Sequence, residues 1–462
     1  MRRIAAIAAA KAAAALSRRL KAGGGTALPG LVAQRIDPAI VPEMARRLGQ
    51  GSVIVTGTNG KTTTARLLRG IVRAAGLRVV ANRAGSNLMR GIAAALADSA
   101  NLDGSLPAAG RCIGVFEVDE ATVPEAAGAL APRLILFTNL FRDQLDRYGE
   151  VEHVAALWRD AVRALGDSAT VVLNADDPSV ASLAQATVGR AILYGVEDTS
   201  RGLDRLEHAA DARWCSACGA ELAYATVFYG HLGHWRCPAC RVTRPPARVV
   251  ATRIEPEAEG TRMTIAMPGG EVSALLPLAG LYNAYNGLAA VAAAWALDIA
   301  PDAAQRGLDS ATAAFGRQER LMVAGRWVEV ILAKNPAGLN EVLRTITADG
   351  AQKDVALFLN DDIADGRDVS WIWDVDFELL AGKVRSLTVS GRRAWDMALR
   401  LKYGGLDSLS GVEEDAAAAL RRALKATPQD ATLYVIPTYT AMLKVRELLA
   451  RWARQPSFWE AA

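Results

Sequence analysis

Histidine and cysteine are scarce in this chain, four and five residues among 462. Five cysteines do not make the disulfide-dense framework of a small secreted scaffold, and they point to a reduced, cytoplasmic protein. No run of about 18 apolar residues escapes a charge, so no segment is expected to span a membrane. Charge of either sign is not in large excess: 53 Lys and Arg face 49 Asp and Glu, a net +4, compatible with anionic substrates but too small to argue for nucleic acid. With 51% hydrophobic and 22% charged residues, the composition is neither disordered nor fibrous, and the length suits roughly two or three domains. The opening MRRIAAIAAAKAAAALSRRLKAGGG has the charged start of a secretory signal. Lys11 interrupts its apolar stretch, however, that stretch is mostly alanine, and Arg18 and Arg19 follow before any cleavage site. It reads as an Ala-rich helix ended by Gly23, Gly24 and Gly25.

The segment SVIVTGTNGKTTTAR, Ser52 to Arg66, carries the clearest chemistry. A β-branched run enters a glycine turn ending in Lys61 and Thr62, with a helical pattern behind it. This predicts a phosphate loop in which Gly57, Thr58, Asn59, Gly60, Lys61, Thr62 and Thr63 bind nucleotide. Its glycines free backbone N–H groups for phosphate oxygens at a helix N-terminus, Lys61 balances terminal phosphate charge and the Thr62 hydroxyl ligates Mg²⁺. The loop is a short form, G-T-N-G-K-T, because Val55 stands where the longer pattern has its first glycine.

Cys112 lies alone in RCIGVFEV, a buried-strand pattern, and reads as a small core residue. Cys215-x-x-Cys218 and Cys237-x-x-Cys240, with eighteen residues between the pairs, have the spacing of a zinc ribbon whose four thiolates close one tetrahedral ion. Such a zinc has no open position for catalysis. Trp235, Arg236, Arg241 and Arg244 could dress a nucleic-acid surface, but the ribbon interrupts a larger domain and reads as a structural insertion. His231 and His234 read as solvated loop residues, with substitution for a cysteine ligand as the alternative.

Strand-like runs at 52–56, 111–118, 133–139, 169–174 and 191–194, with helical stretches between most of them, predict an α/β fold with a mostly parallel sheet covered on both faces. Short alternating strands follow over 247–276, then a helix over Asn283 to Ala296, and a second β/α series has strands at 326–333, 354–359, 384–389 and 431–436. A domain break is expected between 300 and 325. Polar clusters end three of the first strands: Glu117-Val118-Asp119-Glu120, then Thr138-Asn139 with Arg142-Asp143-Gln144-Leu145-Asp146, then Asn174-Ala175-Asp176-Asp177. Singly these are helix caps or turns. Together, at the carboxyl edge of one sheet, they predict a shared site, with Glu117 or Glu120 as a Mg²⁺ ligand.

The order G-T-N-G-K-T, T-N with D-x-x-D, N-A-D-D-P, Leu281-Tyr282-Asn283-Ala284-Tyr285-Asn286 and Gly316-Arg317-Gln318-Glu319 resembles Mur ligases, which activate a carboxylate with ATP as an acyl phosphate that an amine then attacks. The cysteine pairs, GGGTALPG, Asn82-Arg83-Ala84-Gly85-Ser86-Asn87-Leu88, DGRDVSWIWDVDFE and IPTYTAML narrow the resemblance, over essentially the whole chain, to the MurT family of synthetase subunits of lipid II isoglutaminyl synthase. The resemblance implies an N-terminal helical and Gly-rich segment over 1–48, a Mur ligase-type central ATP-binding domain over 49–312 with the zinc ribbon inserted at 205–247, and a C-terminal Rossmann-like α/β domain over 313–462. It implies amidation of the α-carboxylate of D-glutamate in the peptidoglycan stem peptide, with ATP, Mg²⁺ and Zn²⁺. Asn283, or else Asn286, would face the nucleotide; Asn174, Asp176 and Asp177 would lie near the adenosine; Arg317 would reach phosphate from the hinge.

Two departures stand out. Gln144 takes the place of a histidine common in Mur ligases, which removes support for a second metal. Lys334 to Glu341, KNPAGLNE, lacks the Asp and His of the corresponding D-Y-A-H-N-P region, which fits ammonia as the nucleophile. Ammonia has to be generated, and no credible Cys–His glutaminase pair is present. The resemblance therefore implies a separate GatD-like class I glutamine amidotransferase subunit, a lipid II or muropeptide substrate, no nucleic acid, and contact with the cytoplasmic membrane face. Composition reads 361–378 as an acidic loop followed by a strand carrying Trp371 and Trp373. The resemblance makes an aspartate there, Asp368 first and Asp365 second, the orienting member of the partner's catalytic triad. Two other classes predict different behaviour. A single-chain Mur or folylpolyglutamate-type amino-acid ligase needs no glutaminase, and a zinc-ribbon nucleic-acid ATPase is stimulated by DNA or RNA.

Overall fold

The computed structural model describes residues 1–19, 27–83, 85–143, 150–312, 317–406 and 409–453. In chain order its strands are β1 (Ser52–Thr56), β2 (Arg78–Val80), β3 (Cys112–Glu117), β4 (Leu134–Phe137), β5 (Thr170–Asn174), β6 (Arg190–Val196), β7 (Ala223–Tyr229), β8 (Leu232–Arg236), β9 (Val249–Glu257), β10 (Gly260–Met267) and β11 (Gly270–Leu276). They continue with β12 (Arg317–Val323), β13 (Arg326–Ile331), β14 (Lys353–Phe358), β15 (Val384–Ser390), β16 (Leu409–Glu413) and β17 (Thr432–Pro437).

Nine strands form the first sheet in the order β11-β10-β9-β6-β5-β4-β1-β3-β2. From β2 to β9 every pair is parallel, and only β9-β10-β11 run antiparallel as a meander. A parallel sheet needs both faces covered, so its central strands are largely apolar. In β1 this is literal: Val53 and Val55 enter one core, which the helices Lys61–Ala74 and Leu281–Ala296 close, and Ile54 enters the other. The second core is closed by helices including Arg2–Arg19, Met89–Ser99 and Val151–Ala164. β1 lies between β3 and β4, with Ile54 opposite Phe116 and Ile135, so the polar residues after these strands emerge along one edge.

β6 and β9 are parallel neighbours, yet the chain between them makes no covering helix. It builds the β7–β8 hairpin and the cysteine cluster beside it. Between Asp309 and Arg317 the chain passes to the second sheet, β12-β13-β17-β14-β15-β16, parallel except for β12 against β13.

The expected strands are present with small shifts at their ends, and the later helix begins at Leu281, directly after Gly280 (φ 97°). β2, β7, β8, β12 and β16 are not among the strands expected from the sequence. Trp371 and Trp373 are not on a strand. They lie in a 3₁₀ turn, Ser370–Asp374, followed by another at Phe377–Leu380. Ile372, Val375, Phe377 and Leu380 are the buried side chains, a spacing of about three that suits 3₁₀ turns and not a two-residue alternation. Among the described residues no helix is long and apolar enough to cross a membrane.

Candidate active site

Strand β1 delivers the chain into the glycine turn, and the turn ends at Gly60, the N-cap of helix Lys61–Ala74. Gly57 (φ 135°) and Gly60 (φ 84°) both lie where L side chains are strained. A methyl group at Gly57 would sit 2.0 Å from Thr138 Oγ1, and one at Gly60 would sit 2.0 Å from Asn286 Oδ1. The loop is braced by β4: Thr138 Oγ1 donates to Asn59 O (2.8 Å), and Asn59 N donates to Asn139 Oδ1 (2.8 Å). Thr58 Oγ1 donates to Phe141 O (3.1 Å). Thr63 is buried in the helix's first turn.

Two acid partners distinguish the residues after the loop. Lys61 Nζ donates to Glu120 Oε2 (2.9 Å) and to the carbonyls of Gly57 and Thr58. Burial works against its charge, but Glu120 and then Asp119 outweigh that, and the ammonium pKa lies above its ordinary value. Burial in turn raises the Glu120 carboxyl pKa, opposed by Lys61. Thr62 Oγ1 donates to Glu117 Oε1 (3.0 Å). The position of Glu117 is held by Asn82, whose Nδ2 donates to Glu117 O (2.8 Å) and whose Oδ1 accepts from Glu117 N (2.9 Å). The structure thus separates the two glutamates, Glu117 on the hydroxyl and Glu120 on the lysine.

Asn286 Oδ1 accepts from Thr64 Oγ1 (3.2 Å), and Asn286 Nδ2 donates to Asn283 Oδ1 (3.2 Å). Asn283 Nδ2 donates to Ala279 O (2.8 Å) and to Gln318 Oε1 (3.3 Å). Arg317 is described by its backbone, opposite Ile331 at the start of β12. Gln144 falls outside the described residues.

Asn174, Asp176 and Asp177 are brought to the same edge but engaged within the chain. Asn174 Nδ2 donates to Thr138 O (3.0 Å). The Asp176 carboxylate, 0% exposed, accepts from Arg244 Nε (2.6 Å), Tyr285 Oη (2.7 Å) and Val196 N (2.8 Å). Asp177 caps the helix Pro178–Ala181 by accepting from Ser179 N and Val180 N, and it also accepts from Leu140 N (2.8 Å). His231 is not solvated. It is fully buried, its Nε2 lies 3.3 Å from Asp177 Oδ2 and its ring centroid 4.3 Å from that of Phe141. His234 is in β8 with Nε2 2.8 Å from Val196 O. The Trp235 indole donates to Ala175 O (3.1 Å), so Trp235 and Arg244 bind the hairpin to the first sheet.

The four cysteine sulfurs lie within 4.8 Å of one another. Cys215 and Cys240 are 3.6 Å apart, and Cys218 and Cys237 3.5 Å. Cys112 is buried in β3.

A cleft between the two sheets is lined by residues including Arg142, Asp143, Lys334, Asn335, Asp365 and Asp368. Lys334 forms an ion pair with Asp143 across it. Asn335 bonds to the phosphate loop: its Nδ2 donates to Asn59 Oδ1 (2.9 Å), and its Oδ1 accepts from Asn59 Nδ2 (3.2 Å) while capping helix Pro336–Thr347. Sequence reasoning missed this role. An Asn-Pro helix start is visible in the sequence, but its second partner is not. Asp365 is buried and accepts from Thr440 N (2.8 Å) and Thr440 Oγ1. Burial raises its carboxyl pKa against those bonds. Asp368 is exposed, with one oxygen on Ser370 N (2.8 Å).

This arrangement, a glycine loop joined through Asn59 and Asn335 to a cleft between two α/β sheets, has relatives. The Mur ligase middle domain family matches residues 55–217, and the MurT ligase C-terminal family matches residues 332–442. Among solved structures, a pseudomurein peptide ligase type C from Methanothermus fervidus superposes with a TM-score of 0.66 at 24% identity, over 87% of this chain and 78% of that one. The chain is 31% identical over 442 residues to the Staphylococcus aureus (strain COL) protein named lipid II isoglutaminyl synthase (glutamine-hydrolyzing) subunit MurT, over 96% of this chain and 95% of that relative. To the Streptococcus pneumoniae (strain R6) protein of the same name it is 34% identical over 432 residues, 93% of each. Identity at that level over more than nine-tenths of both proteins shows the family, and the chain belongs to the MurT family of Mur ligase-fold proteins.

Proposed function

We propose that this chain is the synthetase subunit of a lipid II isoglutaminyl synthase, amidating the α-carboxylate of the stem-peptide D-glutamate to D-isoglutamine. The carrying observation is the glycine loop, with Lys61 on Glu120 and Thr62 on Glu117, joined through Asn59 to Asn335 of a cleft that Asp365 and Asp368 also line. In this reading Gly57 to Thr63 bind ATP, and Thr62 with Glu117 hold Mg²⁺. Glu120 keeps Lys61 charged until phosphate replaces it. Asn283 and Asn286 position the loop from behind. A carboxylate oxygen attacks the γ-phosphorus and ADP leaves; ammonia then attacks the acyl carbon and inorganic phosphate leaves.

Ammonia comes from a GatD-like glutaminase subunit, and exposed Asp368 is the group that reaches its histidine. Asp365, held by Thr440, positions the same turn. The four cysteines bind one zinc: bonds of ~2.3 Å in a tetrahedron put sulfurs about 3.8 Å apart, which the observed spacings accommodate. That ion is structural. The protein works in the cytoplasm at the membrane surface from which its lipid-linked substrate projects.

The test combines the chain with the glutaminase subunit, glutamine, Mg-ATP and a D-glutamate-containing muropeptide, and reads the product by mass spectrometry. The expected product is lighter by the difference between OH and NH₂, is ATP-dependent, and is absent with Lys61→Ala. A gain of one amino-acid residue would instead make this a conventional ligase, and ATPase stimulated only by DNA or RNA would reject both.

A further inference from the structure

Helix Arg2–Arg19 carries apolar residues on its exposed side as well as on its buried one. Ala6, Ile7, Ala10 and Ala14 are buried. The opposite face presents Ile4, Ala5, Ala8, Ala12, Ala15 and Leu16, with Ile4 45% and Leu16 57% exposed. Exposed leucine and isoleucine beside a buried stripe leave apolar surface without a partner in the chain. Its neighbour, Ala27–Ile36, repeats the pattern: Pro29, Gly30 and Ala33 are buried, while Leu28 (51%), Leu31 (41%) and Arg35 stand out at a helical spacing of three and four. The two helices pack on each other and both pack on Met89–Ser99, so their outer faces make one side of the molecule.

The segment that contains both helices carries charge of one sign. The first 36 residues contain seven Lys and Arg and no Asp or Glu, whereas the remaining 426 hold 46 basic and 49 acidic residues. Arg2 and Arg35 are exposed at the rim of the apolar face. Apolar side chains with Arg2 and Arg35 at their rim match the interface of a negatively charged bilayer, into which such a face sinks by several ångströms. The carboxylate paired to the first helix is that of Glu43, and Arg3 neutralises it (3.1 Å). A crevice lined by Ala10, Lys11 and Pro29 on these helices and by Arg83 and Ser86 leads from them to the segment after β2, where Asn82 holds Glu117. The surface therefore adjoins the edge of the sheet that carries the phosphate loop.

We infer that the paired helices Arg2–Arg19 and Ala27–Ile36 are a docking surface for anionic lipid. The inference rests on the proposed function for a membrane-borne substrate, and it assigns the face that meets that membrane.

The experiment is co-sedimentation of the full chain, alone and with the glutaminase subunit, with phosphatidylcholine vesicles and with vesicles in which phosphatidylglycerol replaces part of that lipid. The chain is expected to bind the anionic vesicles, less so as salt rises, and to bind them about tenfold more weakly as Leu28→Ser/Leu31→Ser or as Arg2→Glu/Arg35→Glu. Both variants should keep the wild-type melting temperature and the wild-type rate on a soluble muropeptide. Equal binding to both vesicle types, or equal binding by wild type and variants, would overturn the inference. So would vesicle binding lost on adding the glutaminase subunit, or a dimer of this chain that the leucine variant dissociates. Vesicle binding requires neither ATP nor substrate, so its failure leaves the amidation assay intact, and failure of that assay leaves vesicle binding intact.

Discussion

Glu341 shows how one buried side chain makes stability depend on pH. It lies on helix Pro336–Thr347, and burial, then the nearby Glu207 charge, push its carboxyl pKa up to about 8 against the pull of Arg344. The folded protein keeps a proton here that the unfolded chain releases in the ordinary glutamate range. Stability therefore declines as pH rises from that range through about 8. Glu341→Gln should melt close to wild type at pH 5 and above it at pH 8, by on the order of a few kcal/mol. Equal gains at both pH values would assign the effect to packing. The readability of individual residues follows the same division between local and distant partners. Gly57, Gly60, Lys61 and Thr62 announce a phosphate loop because their chemistry is local. Asn335 is silent because its second partner, Asn59, is 276 positions away. His231 reads as a loop residue until Phe141 and Asp177 are seen to bury it.

Among the elements, the central strands of both sheets were legible because burial on two faces demands continuous β-branched and aliphatic runs. Three of the missed strands, β2, β12 and β16, are edges of the two large sheets. β2 has three residues, β16 is only half-buried along its length, and β12 is an antiparallel addition to a parallel sheet. Edges answer to one neighbour, so their sequences are weakly constrained. The β7–β8 unit was legible through its cysteines but not in its attachment, since Arg244 and Trp235 find Asp176 and Ala175 only in three dimensions. That attachment predicts a long reach for the zinc proposed at the four cysteines. Removing zinc with a chelator, or substituting Cys237→Ala, should lower the melting temperature by several degrees and raise hydrogen exchange in β9 as well as in the hairpin. A change confined to β7 and β8 would mean that the unit is an independent ornament.

At the scale of the molecule, the two sheets meet through polar contacts. Asn59–Asn335 and Lys334–Asp143 lie beside the loop, while Arg344 and Asn340 reach Glu207, and Arg142 reaches Asp374 (3.3 Å). A polar seam of this kind permits relative motion more readily than an apolar one. Asn335→Ala is expected to raise the KM for ATP several-fold while changing stability by only about 1 kcal/mol, the ordinary worth of a cap. An unchanged KM would reduce Asn335 to its capping role.

The path from β6 to β9 has a consequence during synthesis. A ribosome finishes β1 to β6 first, leaving β6 as a bare edge with unpaired N–H and C=O groups. Its permanent neighbour arrives only after the 52 residues between Val196 and Val249 have been made, roughly 3 to 10 s later at 5–20 residues per second. Those residues include the four clustered thiols. With the zinc proposed for them, its supply during translation would influence how much of this chain escapes edge-to-edge aggregation before β9 pairs with β6.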